Sequence, residues 1–316
     1  MKDARQPPQH SESMSLYSPA QLERYFSLIS LPNWKTLAGH DARDFFDQMI
    51  KCQLARITYN TLSLHYAKGR PGSLDADVLF DKIVGKDRGG YCFELNVFFL
   101  QVIRSLGFEA MGVGCRMRDQ RSTSEGLDRW RATSHMAIVV IINGERFLVD
   151  VGCGAQSPVT LLLLRSGQAA TGLMGQALRM ESKKLATTAM SKPVWIYSMR
   201  FGGEGAWKEI YAFADAEYLA ADFDVLNYYT LHASPFTRMV VVQSFFFQRT
   251  CDGASGTLSL VKDSITQNVD GEDEPVAVLR SERERVEALG KHFGIQLSED
   301  ELDAIKGSAY ALPVAD

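Results

Sequence analysis

The stretch KDRGGYCFELN, residues 86–96, places one cysteine after a pair of glycines and directly before a long apolar run. The apolar side chains that follow recur at helical spacing as far as Gly107, which predicts a helix that begins at the glycine pair. The start of a helix presents unpaired backbone N–H groups, and its positive dipole end favours a thiolate. Cys92 is therefore a candidate nucleophile, and packing as a small apolar residue is the competing interpretation.

The composition is that of an ordinary globular protein. The chain has 316 residues, of which 46% are apolar and 23% charged, so two or three structural units are expected rather than a mainly disordered chain. A net charge of -4 provides no general attraction to nucleic acid or to anionic membranes, and neither is expected as a partner. No apolar run approaches the roughly 18 to 20 residues that a membrane helix needs.

The five cysteines are scattered along the chain without a C-x-x-C pair. Their odd number and wide spacing favour neither a disulfide framework nor a zinc site, so no metal is expected. The segment 1–17 lacks the apolar stretch of a secretory signal and is predicted to be a flexible polar tail. A cytoplasmic location fits these features best, because the cytoplasm keeps thiols reduced.

Three parts with different patterns follow one another along the chain. Segment 18–107 has helical periodicity, which predicts a helical domain. Segment 108–215 is dominated by β-branched and aromatic runs broken by turn residues, which predict strands. Within it, 165–192 shows no firm periodicity and is interpreted as a connection or insertion. Segment 216–316 combines further strands with two helices near its end. This order predicts an α+β protein rather than a doubly wound sheet.

Two helices of the first part have clear sequence signals. Ser18 followed by Pro19 is a standard helix start, with the serine as the cap and the proline at the first helical position. The run DARDFFDQMIKCQLARITYNTLSLHYA, residues 41–67, carries apolar side chains at roughly helical intervals before KGRPG ends the pattern. We therefore predict one long helix over 41–67.

A second stretch with chemically useful side chains is SHMAIVVIINGERFLVDVGCG, residues 134–154. Two strand-like runs flank Asn143 and Gly144, the strongest short signal for a hairpin. A two-residue loop places His135 and Asp150 on one face as diagonal neighbours, about 7 to 8 Å apart in the backbone, a gap that their side chains can span. A three-residue loop would put them on opposite faces.

These side chains suit a thiol enzyme. A carboxylate at Asp150 can accept one ring N–H of His135 and hold the ring while the other ring nitrogen takes the proton of a thiol. Taken singly, His135 is also explained as a sheet histidine with its hydrogen bonds satisfied, and Asp150 as a turn carboxylate. Together with Cys92 they predict a nucleophile, a base and an orienting carboxylate, provided that the hairpin meets the helix start.

Five motifs stand in a fixed order along the chain: RGGYCFELN (88–96), SHMAIVV (134–140), LVDVGCG (148–154), SPFTRMVVVQ (234–243) and FGIQLS (293–298). In order and spacing they resemble the arylamine N-acetyltransferase family over most of the chain. The resemblance implies a helical bundle carrying the cysteine, a β-barrel carrying histidine and aspartate, and an α/β lid, around a cysteine-protease-like core. By matching positions it implies Cys92 as nucleophile, His135 as the imidazole and Asp150 as the carboxylate.

That family transfers an acyl group from acyl-coenzyme A to an aromatic amine or hydrazine in two steps. The resemblance thus implies an acyl-Cys92 intermediate, acetyl- or malonyl-coenzyme A as co-substrate, no permanently bound cofactor, and a monomer or weak homodimer acting on xenobiotics. The runner-up is a Cys-His-Asp thiol hydrolase or transglutaminase-like enzyme, in which water or a protein amide replaces the amine. A binding or scaffold protein without turnover is the non-enzymatic alternative.

The resemblance also implies residues that contact acyl-coenzyme A or the acceptor, although turn formation explains several of them equally well. At Cys153 the chain departs from the family, which usually carries phenylalanine there beside the acceptor pocket. The smaller side chain predicts room for bulkier amines or for an acyl group larger than acetyl. The length of 165–192 resembles fungal members, some of which prefer malonyl-coenzyme A. The implied contact residues are Tyr91, Phe93, Ser134, Gly152, Cys153, Gly154, Phe236 and Thr237.

Overall fold

A computed structural model describes most of the chain. Of the predicted tail 1–17, only Leu16 and Tyr17 belong to the described part. Tyr17 is buried, and its hydroxyl donates to the carbonyl of Ala76 at 2.9 Å, so this residue packs with the helical unit rather than with a tail. The described residues are 16–69, 72–119, 129–173, 175–186, 192–201, 205–247, 255–269 and 271–313.

The first part of the chain is mainly helical, as predicted. The hydroxyl of Ser18 accepts a hydrogen bond from the backbone N–H of Gln21, and Pro19 occupies the first helical position. The last helix of this part, α5, buries most of its side chains and forms the centre of the main apolar core. The helices are α1 (Pro19–Leu28), α2 (Trp34–His40), α3 (Ala42–Arg56), α4 (Ala76–Phe80) and α5 (Cys92–Ser105).

The prediction of one helix over 41–67 is wrong in its second half. Helix α3 ends at Arg56, and strand β1 (Tyr59–Asn60) follows and pairs with strand β10 (Val241–Phe246) of the last part of the chain. The sequence after Arg56, ITYNT, is rich in β-branched and aromatic residues, which favour an extended backbone. The sheet that includes β1 thus takes strands from both sides of a predicted domain boundary, and the domain division stays a prediction.

The middle of the chain forms one curled antiparallel sheet. Its eight strands lie in the order β5-β4-β3-β2-β9-β8-β7-β6, and β5 comes close to β7, so the sheet nearly closes into a barrel. The strand runs predicted in 108–215 are confirmed. The strands are β2 (Ala110–Arg118), β3 (Trp130–Ile142), β4 (Glu145–Val149), β5 (Leu162–Leu163), β6 (Ala169–Thr171), β7 (Ala177–Lys183), β8 (Val194–Arg200) and β9 (Lys208–Phe213).

Part of segment 165–192, interpreted from its pattern as a connection, is regular sheet. Strand β6 pairs with β7, and β7 pairs with β8 along its whole length. Leu178 and Met180 are the buried positions of β7, and two apolar residues are too few to show a period in the sequence. Residue 174 and residues 187–191 lie outside the described part of the chain.

The last part combines helices with a five-stranded sheet in the order β1-β10-β11-β12-β13. The predicted capping serines are confirmed, because Ser281 accepts from the N–H of Glu284 and Ser298 from that of Glu301. None of the helices in the described part combines the length and apolarity needed to cross a membrane. The further elements are α6 (Ala220–His232), β11 (Gly256–Val261), β12 (Ser264–Val269), β13 (Glu272–Val278), α7 (Glu282–Phe293) and α8 (Glu299–Ala304).

Candidate active site

Cys92 is the first residue of α5, and the glycine pair before it allows a close approach of strand β1. A Cβ atom on Gly89 would lie 1.8 Å from the carbonyl oxygen of Thr58, and one on Gly90 would lie 2.6 Å from Oε2 of Glu94. Neither glycine has a positive φ. Glycine is needed here for space beside the neighbouring backbone rather than for a left-handed turn.

The first turn of α5 is held by a buried carboxylate. Glu94 accepts a hydrogen bond from the backbone N–H of Tyr91 at 3.2 Å and pairs with Lys82 at 2.6 Å. Tyr91 and Phe93, on either side of Cys92, are fully buried, and Phe93 packs against Phe223 with ring centroids 6.2 Å apart. Their implied role as substrate contacts stays a prediction.

The hairpin has the predicted two-residue loop. Asn143 and Gly144 have φ values of 52° and 78°, the positive values that a type I′ turn requires at both central positions. The resulting register brings His135 and Asp150 together, with Nε2 of the histidine 2.7 Å from Oδ2 of the aspartate. Both side chains are buried, so water competes little for this hydrogen bond.

The hairpin meets the start of α5 at Gly152. A Cβ atom there would lie 2.8 Å from the carbonyl oxygen of Cys92 and 2.6 Å from Nδ2 of Asn96, so only glycine fits between the strand exit and the helix. This contact meets the condition on which the predicted cysteine, histidine and aspartate set depended. The implied contact of Gly152 with substrate stays a prediction.

Asn96 is a member of the site that sequence reasoning missed. Its Nδ2 donates to Oδ1 of Asp150 at 2.8 Å, and its Oδ1 accepts from the N–H of Val151 at 3.0 Å. The N–H of Gly152 also donates to Oδ1 of Asp150 at 2.8 Å. Asn96 lies four residues after Cys92 and hence on the same side of α5, which is the signal that could have identified it.

The surroundings of His135 favour its protonated form. Burial acts against the charge, but the charge and hydrogen bond of Asp150, together with those of Cys92, raise the pKa of His135 to about 10. Nε2 faces Asp150, so Nδ1 is the ring nitrogen left for Cys92. The contribution of protonated His135 to the free energy of unfolding is fully present below pH 6.5, its ordinary pKa. This contribution is lost as the pH rises through about 10.

Three further residues that the resemblance implies as substrate contacts, Ser134, Cys153 and Gly154, lie near His135 and Asp150 in sequence. Ser134 is half-buried, and its hydroxyl donates to the carbonyl of Ala132 at 3.1 Å. Cys153 is half-buried, and its N–H donates to the hydroxyl of Ser157 at 2.9 Å. Gly154 adopts a φ of 58°, so a turn conformation that favours glycine accounts for it. Their roles toward a substrate stay predictions.

The SPFT motif approaches Cys92 from the last part of the chain. Thr237 is buried, and its hydroxyl donates to the carbonyl of Ser234 at 2.9 Å, as in a turn. Phe236 is half-buried, with its ring 6.2 Å from that of Tyr59. Tyr59 forms an isolated bridge with Gly90, two residues before Cys92. Phe236 thus contacts a tyrosine that lies beside the cysteine motif, and its role in binding stays a prediction.

Three side chains of the site also have the residue types of metal ligands. His135, Asp150 and Cys153 offer ligand atoms that all lie within 4.8 Å of one another. Asp150, however, already receives hydrogen bonds from three donors, and His135 is one of them. Hydrogen bonding accounts for the placement of this pair, and we assign no metal to it.

The cysteine lies at the start of a helix, next to a sheet that carries a histidine and an aspartate. Enzymes with a cysteine nucleophile have this arrangement. A family model described as N-acetyltransferase matches residues 44–302, and the chain belongs to this family. The chain is accordingly an acyltransferase, and the predicted family is confirmed.

One curated relative is similar along the chain, and two solved structures share its fold. N-malonyltransferase FDB2 of Fusarium pseudograminearum is 27% identical, over 92% of each chain. The crystal structure of Nocardia farcinica arylamine N-acetyltransferase has 24% identity and a TM-score of 0.74, over 95% of this chain and 99% of that chain. The Mycobacterium marinum enzyme in complex with CoA has 22% identity and a TM-score of 0.69, over 90% and 94%. The predicted α+β fold with a cysteine-protease-like core is confirmed.

Proposed function

We propose that the protein transfers an acyl group from acyl-coenzyme A to an aromatic amine or hydrazine through an acyl-Cys92 intermediate. The observation that carries the proposal is the buried hydrogen bond of 2.7 Å between His135 and Asp150, at a hairpin that touches the first residue of α5. The raised pKa of His135 supports an imidazolium beside the sulfur at neutral pH, and a neighbouring cation favours the thiolate that is the attacking form.

In the first step, the sulfur of Cys92 attacks the thioester carbon. The new S–C bond forms as the bond to the coenzyme A sulfur breaks, and coenzyme A leaves with the proton held by His135. Backbone N–H groups of the first turn of α5 face the position where the oxyanion develops. Exchange of one thioester for another is nearly isoenergetic, so a thiol nucleophile suits this donor.

In the second step, the amine attacks the acyl-cysteine carbon. The C–N bond forms, the C–S bond of Cys92 breaks, and His135 takes the proton that the amine loses. Asp150 keeps the ring in place and stabilises its charge, while Asn96 and the N–H of Gly152 fix the carboxylate. The amide product is more stable than the thioester, which drives the transfer forward.

Malonyl-coenzyme A is a second candidate donor beside acetyl-coenzyme A. The relative named as an N-malonyltransferase is similar over 92% of both chains, and Cys153 leaves more room than the phenylalanine usual at this position. The proposed setting is a reducing cytoplasm, where the four cysteines of the described part, none of them in a disulfide, would stay reduced. A monomer or weak homodimer that acts on xenobiotic amines completes the proposal.

A panel of acyl-coenzyme A donors and anilines tests this function, with release of coenzyme A as the readout. We expect steady release only when both a donor and an amine are present, with formation of the N-acyl product. Release at the same steady rate without any amine would show water as the acceptor. That result would favour the thiol hydrolase instead.

The same panel tests the role of Cys153. In the Cys153→Phe variant, we expect kcat/KM for malonyl-coenzyme A and for bulky amines to fall about tenfold relative to acetyl-coenzyme A and small amines, because a pocket discriminates by about 1 to 3 kcal/mol per lost methylene-sized space. Cys153→Ser keeps the size and serves as the matched control. Unchanged ratios in the phenylalanine variant would show that position 153 does not limit substrate size.

A further inference from the structure

Lys208, the first residue of β9, lies on the side of the barrel sheet that faces the candidate site. In the pairing of β9 with β8, Tyr211 lies opposite Tyr197 and Lys208 lies opposite Met199, with an irregularity between the two pairs. Met199 and both tyrosines belong to the apolar core inside the barrel. The ring of Tyr211 is 5.2 Å from that of His135, so Lys208 lies two pairs along the ladder from a residue in contact with the site.

Glu209, the residue next to Lys208, points to the other face of the sheet. There it pairs with Lys183 at 2.5 Å and with Arg118 at 3.6 Å. In a strand, successive side chains alternate between the faces, which places Lys208 on the inner one. No carboxylate of the described residues lies within ion-pair distance of Lys208, although the neighbouring cation Lys183 is paired.

Cys153 packs against the same apolar core as Met199, the residue opposite Lys208. Burial, followed by the charges of Asp150 and Cys92, raises the pKa of Cys153, and the charge of Lys208 opposes this rise. Lys208 itself is exposed, so its flexible side chain is free to turn toward the cleft. Lys208 thus places a cation on the face of the sheet against which Cys153 packs.

We propose that Lys208 selects acyl donors that carry a free carboxylate at the far end of the acyl group, of which malonyl-coenzyme A is the simplest. The inference rests on the proposed acyl transfer through Cys92. When the sulfur of Cys92 attacks the thioester and coenzyme A leaves, a malonyl group keeps its second carboxylate. In the proposed complex, that carboxylate extends past the small side chain of Cys153 to the ammonium of Lys208.

The chemistry explains why such a cation matters. Moving a carboxylate from water into a cleft is costly unless it is paired and hydrogen-bonded. A charged hydrogen bond contributes about 1.5 to 3 kcal/mol, which corresponds to roughly tenfold to a hundredfold in affinity. An acetyl group has no carboxylate and gains nothing from Lys208. The ratio of kcat/KM for malonyl- over acetyl-coenzyme A therefore reports on the lysine.

The test measures this ratio in four proteins with one aniline acceptor. In Lys208→Met we expect the ratio to fall at least about tenfold, the lower end of the range for a charged hydrogen bond. Lys208→Arg keeps the charge and should restore most of the ratio. Lys183→Met removes the same charge from the outer face of the same sheet and should keep the wild-type ratio.

The outcomes separate the two proposals. A wild-type protein that transfers no acyl group from either donor would contradict the proposed function, and the role of Lys208 with it. Transfer that proceeds while Lys208→Met keeps the wild-type ratio, or while the wild type ignores malonyl-coenzyme A, would overturn only the role of Lys208. An equal fall in Lys183→Met would also overturn it, because a general effect of net charge would then explain the loss.

Discussion

Replacement of Cys92 by alanine is expected to reduce acyl transfer by about 10⁴-fold or more, the scale on which loss of a nucleophile acts in enzymes with a similar division of labour. The reason is that, among the cysteines that the structure describes, Cys92 alone lies at the start of α5. Cys153 lies on the barrel side, and its raised pKa keeps its sulfur protonated and therefore unreactive. The measurement is the rate of coenzyme A release with an aniline acceptor at saturating donor.

Cys52→Ala provides the matched control for this variant. Cys52 is a half-buried cysteine on α3, outside the candidate site and in no disulfide, so its loss should leave the rate within about twofold of the wild type, as for most substitutions far from a site. Thermal unfolding of both variants shows whether the fold is kept. A Cys92→Ala protein that folds and retains a tenth of the activity would rule out the cysteine as the nucleophile.

Asp150→Asn should lower kcat/KM by about 10³- to 10⁴-fold, comparable to the loss of the orienting aspartate in other triads. The amide keeps the size of the side chain but removes the negative charge that holds the pKa of His135 near 10. The pKa of His135 then falls, so the imidazolium is lost at lower pH and no cation beside Cys92 favours its thiolate. Activity should therefore fall most at neutral pH.

Alkylation of Cys92 by iodoacetamide separates this electrostatic effect from a structural one. In the wild type, alkylation should be fast at neutral pH, because the neighbouring imidazolium favours the thiolate. In Asp150→Asn, alkylation at neutral pH should be slower. Asp215→Asn, which breaks the exposed pair with Arg146, is the control and should match the wild type. Identical alkylation rates in all three proteins would contradict the role of Asp150.

Much of the site could be predicted because its signals are local. The loop at Asn143 and Gly144 sets the register of the hairpin, and the register alone decides that His135 and Asp150 share a face. The start of α5 at Cys92 follows in the same way from a glycine pair and helical spacing. Turn chemistry and side-chain periodicity depend on a few neighbouring residues, so the sequence contains all that they need.

The parts that escaped prediction depend on contacts between distant segments. Asn96 is recognised only when the backbone around Val151 and the carboxylate of Asp150 arrive beside α5. Strand β1 forms because β10, far along the chain, supplies its partner, and this pairing outweighs the helical pattern before it. Gly89 is explained by the carbonyl of Thr58 rather than by its own φ. In these places the structure depends on contacts between distant segments, which a local sequence pattern does not contain.

The covalent intermediate is the most direct test of the central claim. The wild-type protein, incubated with acetyl-coenzyme A in the absence of any amine and analysed by intact mass and peptide mapping, should gain one acetyl group on Cys92 and release one equivalent of coenzyme A. Addition of an aniline should remove the group and yield the acetanilide. Release of coenzyme A without modification of Cys92, or equal acetylation of the Cys92→Ala protein, would contradict the account.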